Sequence, residues 1–285
     1  MQTSADCVHC YLKQAANCMS LSGVDEELRY QVLLDLLDDI KALDRLGTPA
    51  ENSTVILLKV YRLINNRDPY KDIKAQSNEL ALGLYIGLKD YLERSGNRLF
   101  DALKIAAAGN IIDLGINKSF DLDGSLQQCL NTDFAINDYK LFQNKLAEVD
   151  DVVIVCDNAG EIVFDRLLAE ELSRMGKEVS CIVKGGPMLN DATMEDALQA
   201  GLDQAAAIIS TGSNYLGAPL NRISAEARSA LEQAGLVISK GQANFESLEH
   251  EAMARDRIFF LLKIKCECVG KAVGAALGDI VFFSR

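Results

Sequence analysis

The chain has 285 residues, 49% of them hydrophobic and 25% charged, a composition typical of globular proteins that bury a substantial core. Its formal net charge of −12 argues against nucleic-acid binding, which needs a basic surface. Because no apolar stretch approaches a membrane span and no secretory signal is visible, we expect a cytoplasmic protein without membrane partners.

The residues before about 95 show helical periodicity and no convincing strand. Between Val24 and Leu46 the apolar residues recur at helical spacing, and Gly47, Thr48 and Pro49 are expected to end that helix. Further helices are predicted over 54–64, 73–92, 99–108 and 139–147. We therefore predict a helical domain over 1–95 and a helical connecting region over 96–150.

After Asp151, short apolar runs alternate with helical stretches, of which 162–175 and 225–234 are examples. The predicted strands cover 152–156, 179–183, 206–209, 236–238, 258–262 and 280–283. Repeated strand–helix–strand units are the signature of a parallel sheet with helices on both faces. The sequence thus predicts a doubly wound α/β domain over 151–285, with a sheet that begins near Val152.

Polar residues cluster where these strands end, which is where open parallel sheets bind their ligands. The first strand is followed by Asp157 and Asn158, and the second by Lys184 and, a few residues later, Asp191. The later strands are followed by a second group of polar and glycine residues, namely Ser210, Thr211, Gly212, Lys240, Asn244, Lys263 and Lys265. Parallel strands bring these groups to one edge of the sheet.

Carboxylate and carboxamide oxygens suit a hard or borderline divalent cation such as Mg²⁺, Mn²⁺ or Co²⁺. Lysines and the backbone amides of helix N-termini suit a phosphate group. Taken singly, Asp157 and Asn158 could be helix caps, and Lys240 could lie in a solvated turn. Their shared location favours a metal and phosphate site of the kind that moves phosphoryl groups.

Other common nucleotide and hydrolase sites fit less well. The chain has no glycine-rich dinucleotide fingerprint after its first strand, no phosphate-binding P-loop and no GxSxG nucleophile turn. Its only histidines are His9 and His250, so a histidine-based triad is not expected.

Several segments resemble the metal-dependent damage-control phosphatases, a family also labelled acidic-residue methyltransferase-like and long catalogued as a domain of unknown function. The similar motifs are DNAGE (157–161), KGGPMLNDAT (184–193), STGSN (210–214), SKGQANFE (239–246) and AGNIIDLG (108–115). DPYKDIKAQSNE (68–79) resembles its prokaryotic members, and CVHC (7–10) resembles the paired cysteines of one subfamily. The resemblance extends over nearly the whole chain.

The resemblance implies a helical N-terminal domain packed on a three-layer α/β/α Rossmann-like domain, with the active site at their junction. It implies Asp157, Asn158 and Asp191 as ligands of Mn, Mg, Co or Ni, and hydrolysis of small phosphometabolites such as sugar phosphates. Lys240 would bind and neutralise the phosphoryl group. Substrate-binding residues would include Asn110 and Asp113 from the helical side, and Glu161, Lys184, Ser210, Thr211, Gly212 and Asn244.

The favoured nucleophile is a water activated by the cation for in-line attack, and the Asp157 carboxylate is the alternative nucleophile. Two other function classes also stay open. The family label suggests a methyltransferase acting on protein carboxylates, and the cysteines suggest a non-catalytic metal or redox protein.

Eight cysteines in a chain without a secretory signal predict thiols or metal ligands rather than a disulfide framework. Cys7 and Cys10 flank His9, and Cys266 follows the fifth predicted strand. One hypothesis is a structural metal held by Cys7, Cys10 and Cys266. The alternative is that these residues are redox-active or incidental thiols.

Overall fold

The structure, a computed structural model, describes residues 1–109 and 130–285. Its N-terminal part consists of five helices: α1 (Ala5–Leu21), α2 (Glu26–Ala42), α3 (Pro49–Leu63), α4 (Lys71–Arg94) and α5 (Arg98–Ala108). As predicted, no strand occurs before residue 95. Asn110 and Asp113 lie outside the described residues, and the assignment of both to the site stays a prediction.

A seven-stranded sheet forms the centre of the C-terminal part. Its strands are β1 (Ile136–Asn137), β2 (Asp151–Val155), β3 (Glu178–Val183), β4 (Ala207–Ser210), β5 (Leu236–Lys240), β6 (Ile258–Lys263) and β7 (Ile280–Ser284). Their spatial order is β1-β7-β6-β5-β2-β3-β4, and every pairing is parallel except β6 with β7. The winding direction reverses between β2 and β5, so this is the switch point at which such sheets bind ligands.

Helices between the strands cover both faces of the sheet. They are α6 (Tyr139–Glu148), α7 (Glu161–Arg174), α8 (Met194–Gln199), α9 (Ala225–Gln233), α10 (Gln242–Leu248) and α11 (Glu267–Val273). Alternate residues of β2 face opposite cores: Val152 and Ile154 pack with α5, α6 and α7, whereas Val153 and Val155 pack with α9 and α10. The predicted three-layer α/β/α fold is confirmed.

A third apolar cluster joins α1, α2 and α3 to the loops beyond the carboxyl ends of the strands. Met188 from the loop after β3 and Leu216 from the loop after β4 are buried in it. Hydrogen bonds reinforce the contact: the backbone N–H of Leu189 donates to Tyr61 Oη at 2.9 Å, and that of Leu216 donates to Thr54 Oγ1 at 3.0 Å. Helix α3 therefore lies over the edge of the sheet where ligands are expected.

Three predicted boundaries are wrong. Helix α2 ends at Ala42, before the expected end at Gly47. The sheet begins at β1 rather than near Val152, because a two-residue edge strand is too short to show an alternating pattern. Helix α3 begins at Pro49 rather than at residue 54. Thr48 caps α3 by accepting the Glu51 N–H at 3.1 Å, so Thr48-Pro49 is a start signal for α3.

The division into domains at about residues 95 and 150 stays a prediction. Among the helices of the described residues, none combines the length and the apolar character needed to cross a bilayer.

Candidate metal and phosphate site

Asp157 and Asn158 follow β2 at the switch point, and both are buried. Across the switch point, Gly241 follows β5 with a φ of +81°. A Cβ atom at Gly241 would lie 2.0 Å from Asp157 Oδ2, so only glycine allows the chain this close to the carboxylate. The backbone after β5 thus packs directly against the first candidate metal ligand.

Asp191 reaches the same position from the loop after β3. An isolated antiparallel bridge pairs Asn158 with Asp191, and the Ala192 N–H donates to the Asp157 carbonyl oxygen at 2.9 Å. Asp191 is buried, and its Oδ2 lies 3.4 Å from the ammonium of Lys184, which also donates to the Gly217 carbonyl. The structure therefore brings the predicted ligands Asp157, Asn158 and Asp191 together.

The electrostatics of this group favour a bound cation. Burial is the largest cause of the raised pKa of Asp157, and the carboxylates of Glu161 and Asp191 raise it further. Burial also raises the pKa of Asp191, although Lys184 and Lys265 oppose that shift. Ionised Asp157 and Asp191 repel each other in a desolvated position, and a divalent cation between them would relieve that cost.

The donor set also fits such a cation chemically, since it offers two carboxylates and one carboxamide oxygen. Within residues 1–109 and 130–285, no group of three or more His, Cys, Asp or Glu side chains is arranged to hold a metal. Asp157, Asn158 and Asp191 do not form such a group, because one of the three is an amide. The fit to a hard or borderline cation rests on their burial, their shared position and their mutual repulsion.

Behind the candidate ligands lies a buried chain of ionic contacts. Asn158 Nδ2 donates to Glu161 Oε1 at 3.0 Å and lies 3.2 Å from Asp157 Oδ2. Lys240 Nζ lies 3.1 Å from Glu161 Oε2 and 2.6 Å from Asp165 Oδ1. Burial acts to lower the pKa of Lys240, but the carboxylates of Asp165 and Glu161 outweigh it, so that the pKa is raised. Lys240 is therefore a charged lysine in the protein interior.

The turn between Asn158 and α7 is held from the N-terminal helices. Gly160 has a φ of +79°, and its N–H donates to Asn78 Oδ1 of α4 at 2.6 Å. The amide nitrogen of Asn78 donates in turn to Asp196 Oδ1 at 3.0 Å and to Gln199 Oε1 at 2.9 Å. Asn78 is fully buried, so α4 and α8 together fix the backbone that presents Asn158.

A cavity of about 610 Å³ opens onto Asp157, Asn158 and Asp191. It lies between the N-terminal helices and the sheet edge, and its wall includes residues of α1, α3, α10 and the loop after β6. Lys265 belongs to this wall, and its charge partly opposes the burial that raises the pKa values of Asp157 and Asp191. Sequence reasoning placed Lys265 at a strand end but did not select it as a site residue.

The predicted substrate-binding residues that belong to the described part of the chain lie outside the cavity wall. Thr211 is buried, accepts the Gly185 N–H at 2.9 Å and donates to the Ser213 carbonyl at 2.8 Å. Asn244 Nδ2 donates to the Cys156 carbonyl at 3.0 Å and to the Lys240 carbonyl at 2.7 Å, which ties the end of β2 to the end of β5. Thr211 and Asn244 therefore support the loops at the strand ends. Four other predicted residues, Glu161, Lys184, Ser210 and Gly212, also lie outside the wall.

Cysteines form part of the same wall. Cys7 and Cys10 of α1 line the cavity together with Cys266 and Cys268 near the start of α11. Ser4 Oγ lies 2.8 Å from Cys268 Sγ and 3.5 Å from Cys7 Sγ, which brings the two segments together. Burial raises the pKa of Cys10, and the neighbouring Cys7 and Cys266 raise it further. The predicted trio is thus in one place, although it is not arranged as a metal site.

Glu246 is a buried acid of the wall, and burial raises its pKa to about 7 although Gln242 opposes the shift. A raised folded-state pKa means that stability is full below the unfolded pKa and is lost as the pH rises through about 7. We expect Glu246→Gln to match the wild type at pH 4 and to exceed it by about 3 kcal/mol at pH 8. Urea unfolding at both pH values measures this, and a gap independent of pH would contradict it.

Known proteins resemble this chain over nearly its whole length. Damage-control phosphatase PH1575 of Pyrococcus horikoshii is 31% identical over 99% of this chain and 97% of its own length. A damage-control phosphatase of Archaeoglobus fulgidus is 32% identical over 99% and 98% of the respective chains. The crystal structure of the P. horikoshii protein, described there as a duf89 family protein, superposes with a TM-score of 0.90 and 30% identity, covering 100% of this chain and 99% of that chain.

The family described as Damage-control phosphatase ARMT1-like domain matches residues 3–281. This match and the relatives confirm the predicted family resemblance and the phosphatase class. They do not identify the metal. The chain, with its buried Asp157, Asn158 and Asp191 at the switch point of a doubly wound sheet, belongs to the damage-control phosphatase ARMT1-like family.

Proposed function

We propose that this protein is a divalent-metal-dependent phosphatase that hydrolyses small phosphorylated metabolites. The observation that supports it best is the convergence of Asp157, Asn158 and Asp191 at one end of the 610 Å³ cavity, with Lys265 in its wall. Two buried carboxylates and an amide can hold a cation, and an ammonium in the same cavity can bind phosphoryl oxygens. The cavity also has room for more than a phosphate group.

In this proposal, Asp157, Asn158 and Asp191 hold Mn²⁺, Mg²⁺, Co²⁺ or Ni²⁺. The bound cation supplies Lewis-acid polarisation of the phosphoryl group and lowers the pKa of water. Lys265 orients the phosphoryl oxygens and neutralises the charge that develops on them. Gly241 and the turn at Gly160 keep Asp157 and Asn158 in place, so that the site is ordered before substrate enters.

Phosphate release tests the proposal directly. The metal-free protein is assayed on a panel of sugar phosphates and other phosphomonoesters, each with EDTA or with one of the four cations. We expect turnover only with a cation. Binding of S-adenosylmethionine without phosphate release would instead favour a methyltransferase, and neither activity would favour a metal or redox protein. The cytoplasmic location and the absence of nucleic-acid and membrane partners stay predictions.

The cysteines support a second proposal, a structural metal that would have to draw Cys7, Cys10 and Cys266 together on binding, because the three are not arranged as a metal site without it. Its support is that all three line one cavity and meet Cys268 there. Because soft thiolates prefer zinc, Cys7→Ser should release about one equivalent of it and lower the melting temperature. Elemental analysis checks this against Cys181→Ser, a buried cysteine of β3 that lies elsewhere. Unchanged zinc content would leave these residues as ordinary thiols.

A further inference from the structure

The amide of Asn158 has a fixed orientation. Its nitrogen faces two carboxylate oxygens, Glu161 Oε1 at 3.0 Å and Asp157 Oδ2 at 3.2 Å. Ionised carboxylates accept hydrogen bonds and cannot donate them, so the NH₂ group and not the carbonyl must point this way. The carbonyl oxygen of Asn158, which is the atom able to ligate a cation, consequently points away from Glu161.

Glu161 is itself held in place from behind. Its other carboxylate oxygen, Oε2, lies 3.1 Å from Lys240 Nζ, and the same ammonium lies 2.6 Å from Asp165 Oδ1. The side chains of Lys240, Glu161 and Asp165 are at most 1% exposed. Glu161 and Asp165 stand one helical turn apart on α7, so Lys240 is the cation that allows two buried carboxylates to sit side by side.

Lys240 and Lys265 stand in different places relative to the cavity. Lys265 lines the cavity. Lys240 lies outside the cavity wall, and its ammonium forms ion pairs with Glu161 and Asp165. The Lys240 ammonium is buried together with both of its carboxylate partners. Contact with a phosphate in the cavity would require it to move out of the interior and leave Glu161 and Asp165 without their cation.

We infer that Lys240 is a positioning residue for the cation site rather than a phosphate ligand. Lys240 fixes Glu161, Glu161 fixes the NH₂ group of Asn158, and the Asn158 carbonyl oxygen is thereby presented to the cation. The inference rests on the proposed function, because it presupposes a cation at Asp157, Asn158 and Asp191. Outer hydrogen-bond partners of metal ligands act in this way, and their removal costs about 10- to 100-fold in metal affinity.

The test compares Lys240→Met with Lys265→Met as a matched pair. Calorimetric titration of each metal-free protein with Mn²⁺ alone gives cation affinity, and titration with inorganic phosphate at saturating Mn²⁺ gives phosphate affinity. We expect Lys240→Met to weaken Mn²⁺ binding about 10- to 100-fold and to keep wild-type phosphate affinity. Lys265→Met should keep Mn²⁺ affinity and lose phosphate affinity. The reverse pattern would make Lys240 the phosphate ligand and overturn the inference.

Glu161→Gln gives a second test that does not depend on Lys240→Met folding. Lys240 would hold the carboxamide oxygen of glutamine, so its NH₂ group would face the NH₂ group of Asn158. Asn158 should then turn over and present nitrogen to the cation, weakening Mn²⁺ binding at least about tenfold. Wild-type Mn²⁺ affinity in Glu161→Gln would overturn the inference while leaving the cation site intact. A wild-type protein that binds no Mn²⁺ would overturn the proposed function and this inference with it.

Discussion

Asp191→Asn is expected to abolish cation-dependent phosphate release. Removal of one of two carboxylates takes a formal charge from the site and should weaken Mn²⁺ binding by about 100-fold or more, since even an outer partner is worth about 10- to 100-fold. Calorimetric titration with Mn²⁺ and an assay of phosphate release measure the two effects. Asp203→Asn, an exposed acid between α8 and β4, is the control and should behave as the wild type.

The same variant should not destabilise the metal-free protein at neutral pH. The folded-state pKa of Asp191 is raised by burial, so the ionised carboxylate costs stability once the pH has risen through that pKa. Asparagine has no charge to desolvate, and its carbonyl oxygen can still accept from Lys184. We therefore expect unchanged or slightly greater stability in EDTA at pH 7.

A purely structural role for Asp191, as the carboxylate that faces the buried Lys184, predicts the opposite balance. Asp191→Ala would then lose stability, because the Lys184 ammonium would be left without that carboxylate, and would keep most of its activity. Wild-type Mn²⁺ affinity in Asp191→Asn would rule out the metal site at this position, whatever the activity.

The second large effect concerns Lys265. We expect Lys265→Met to lower kcat/KM about 10²- to 10³-fold, the usual cost of losing one group that stabilises transition-state charge. Mn²⁺ affinity should be retained, because an ammonium cannot ligate a metal and its removal also removes a repulsive charge. Steady-state kinetics at saturating Mn²⁺ measure the effect.

Lys263→Met provides the control for Lys265. Lys263 ends β6 two residues earlier and lies outside the cavity wall, so its loss should leave kcat/KM within about twofold of the wild type. Equal losses in both variants would point to a general effect of positive charge near this strand end. A loss of bound Mn²⁺ in Lys265→Met would make Lys265 a support of the metal ligands.

Much of the fold could be predicted because the strands β2, β3, β5, β6 and β7 consist mostly of buried residues. Continuous apolar runs such as Val152–Val155 stand out in the sequence, and helical spacing separates them. The strand β1 has two residues and no such pattern. Gly47-Thr48-Pro49 is compatible with the end of one helix and with the start of the next, and the structure shows that Thr48 caps α3.

The candidate metal ligands could be found because strand ends in a parallel sheet share an edge, which holds for Asp157 and Asp191 whatever the side chains do. The two lysines could not be told apart in this way. Lys240 ends β5 and Lys265 follows β6, but only the packing of the folded chain places the Lys240 ammonium against α7 and Lys265 in the cavity wall. Helix α7 supplies its two acids one turn apart, and the sequence gives no sign of which lysine they bind.

Two parts of the fold form the cavity, and each can change in sequence without the other. The proposed cation ligands follow β2 and β3 and are held by buried contacts, whereas another part of the wall comes from α1 and α3 and includes Gln14 and Ser53. Substitutions on α1 and α3 can alter the shape offered to the organic part of a metabolite while the phosphoryl chemistry is inherited unchanged. Paralogues with different substrate preferences could therefore arise by mutations that fall mostly in the first 60 or so residues (about a fifth of the chain).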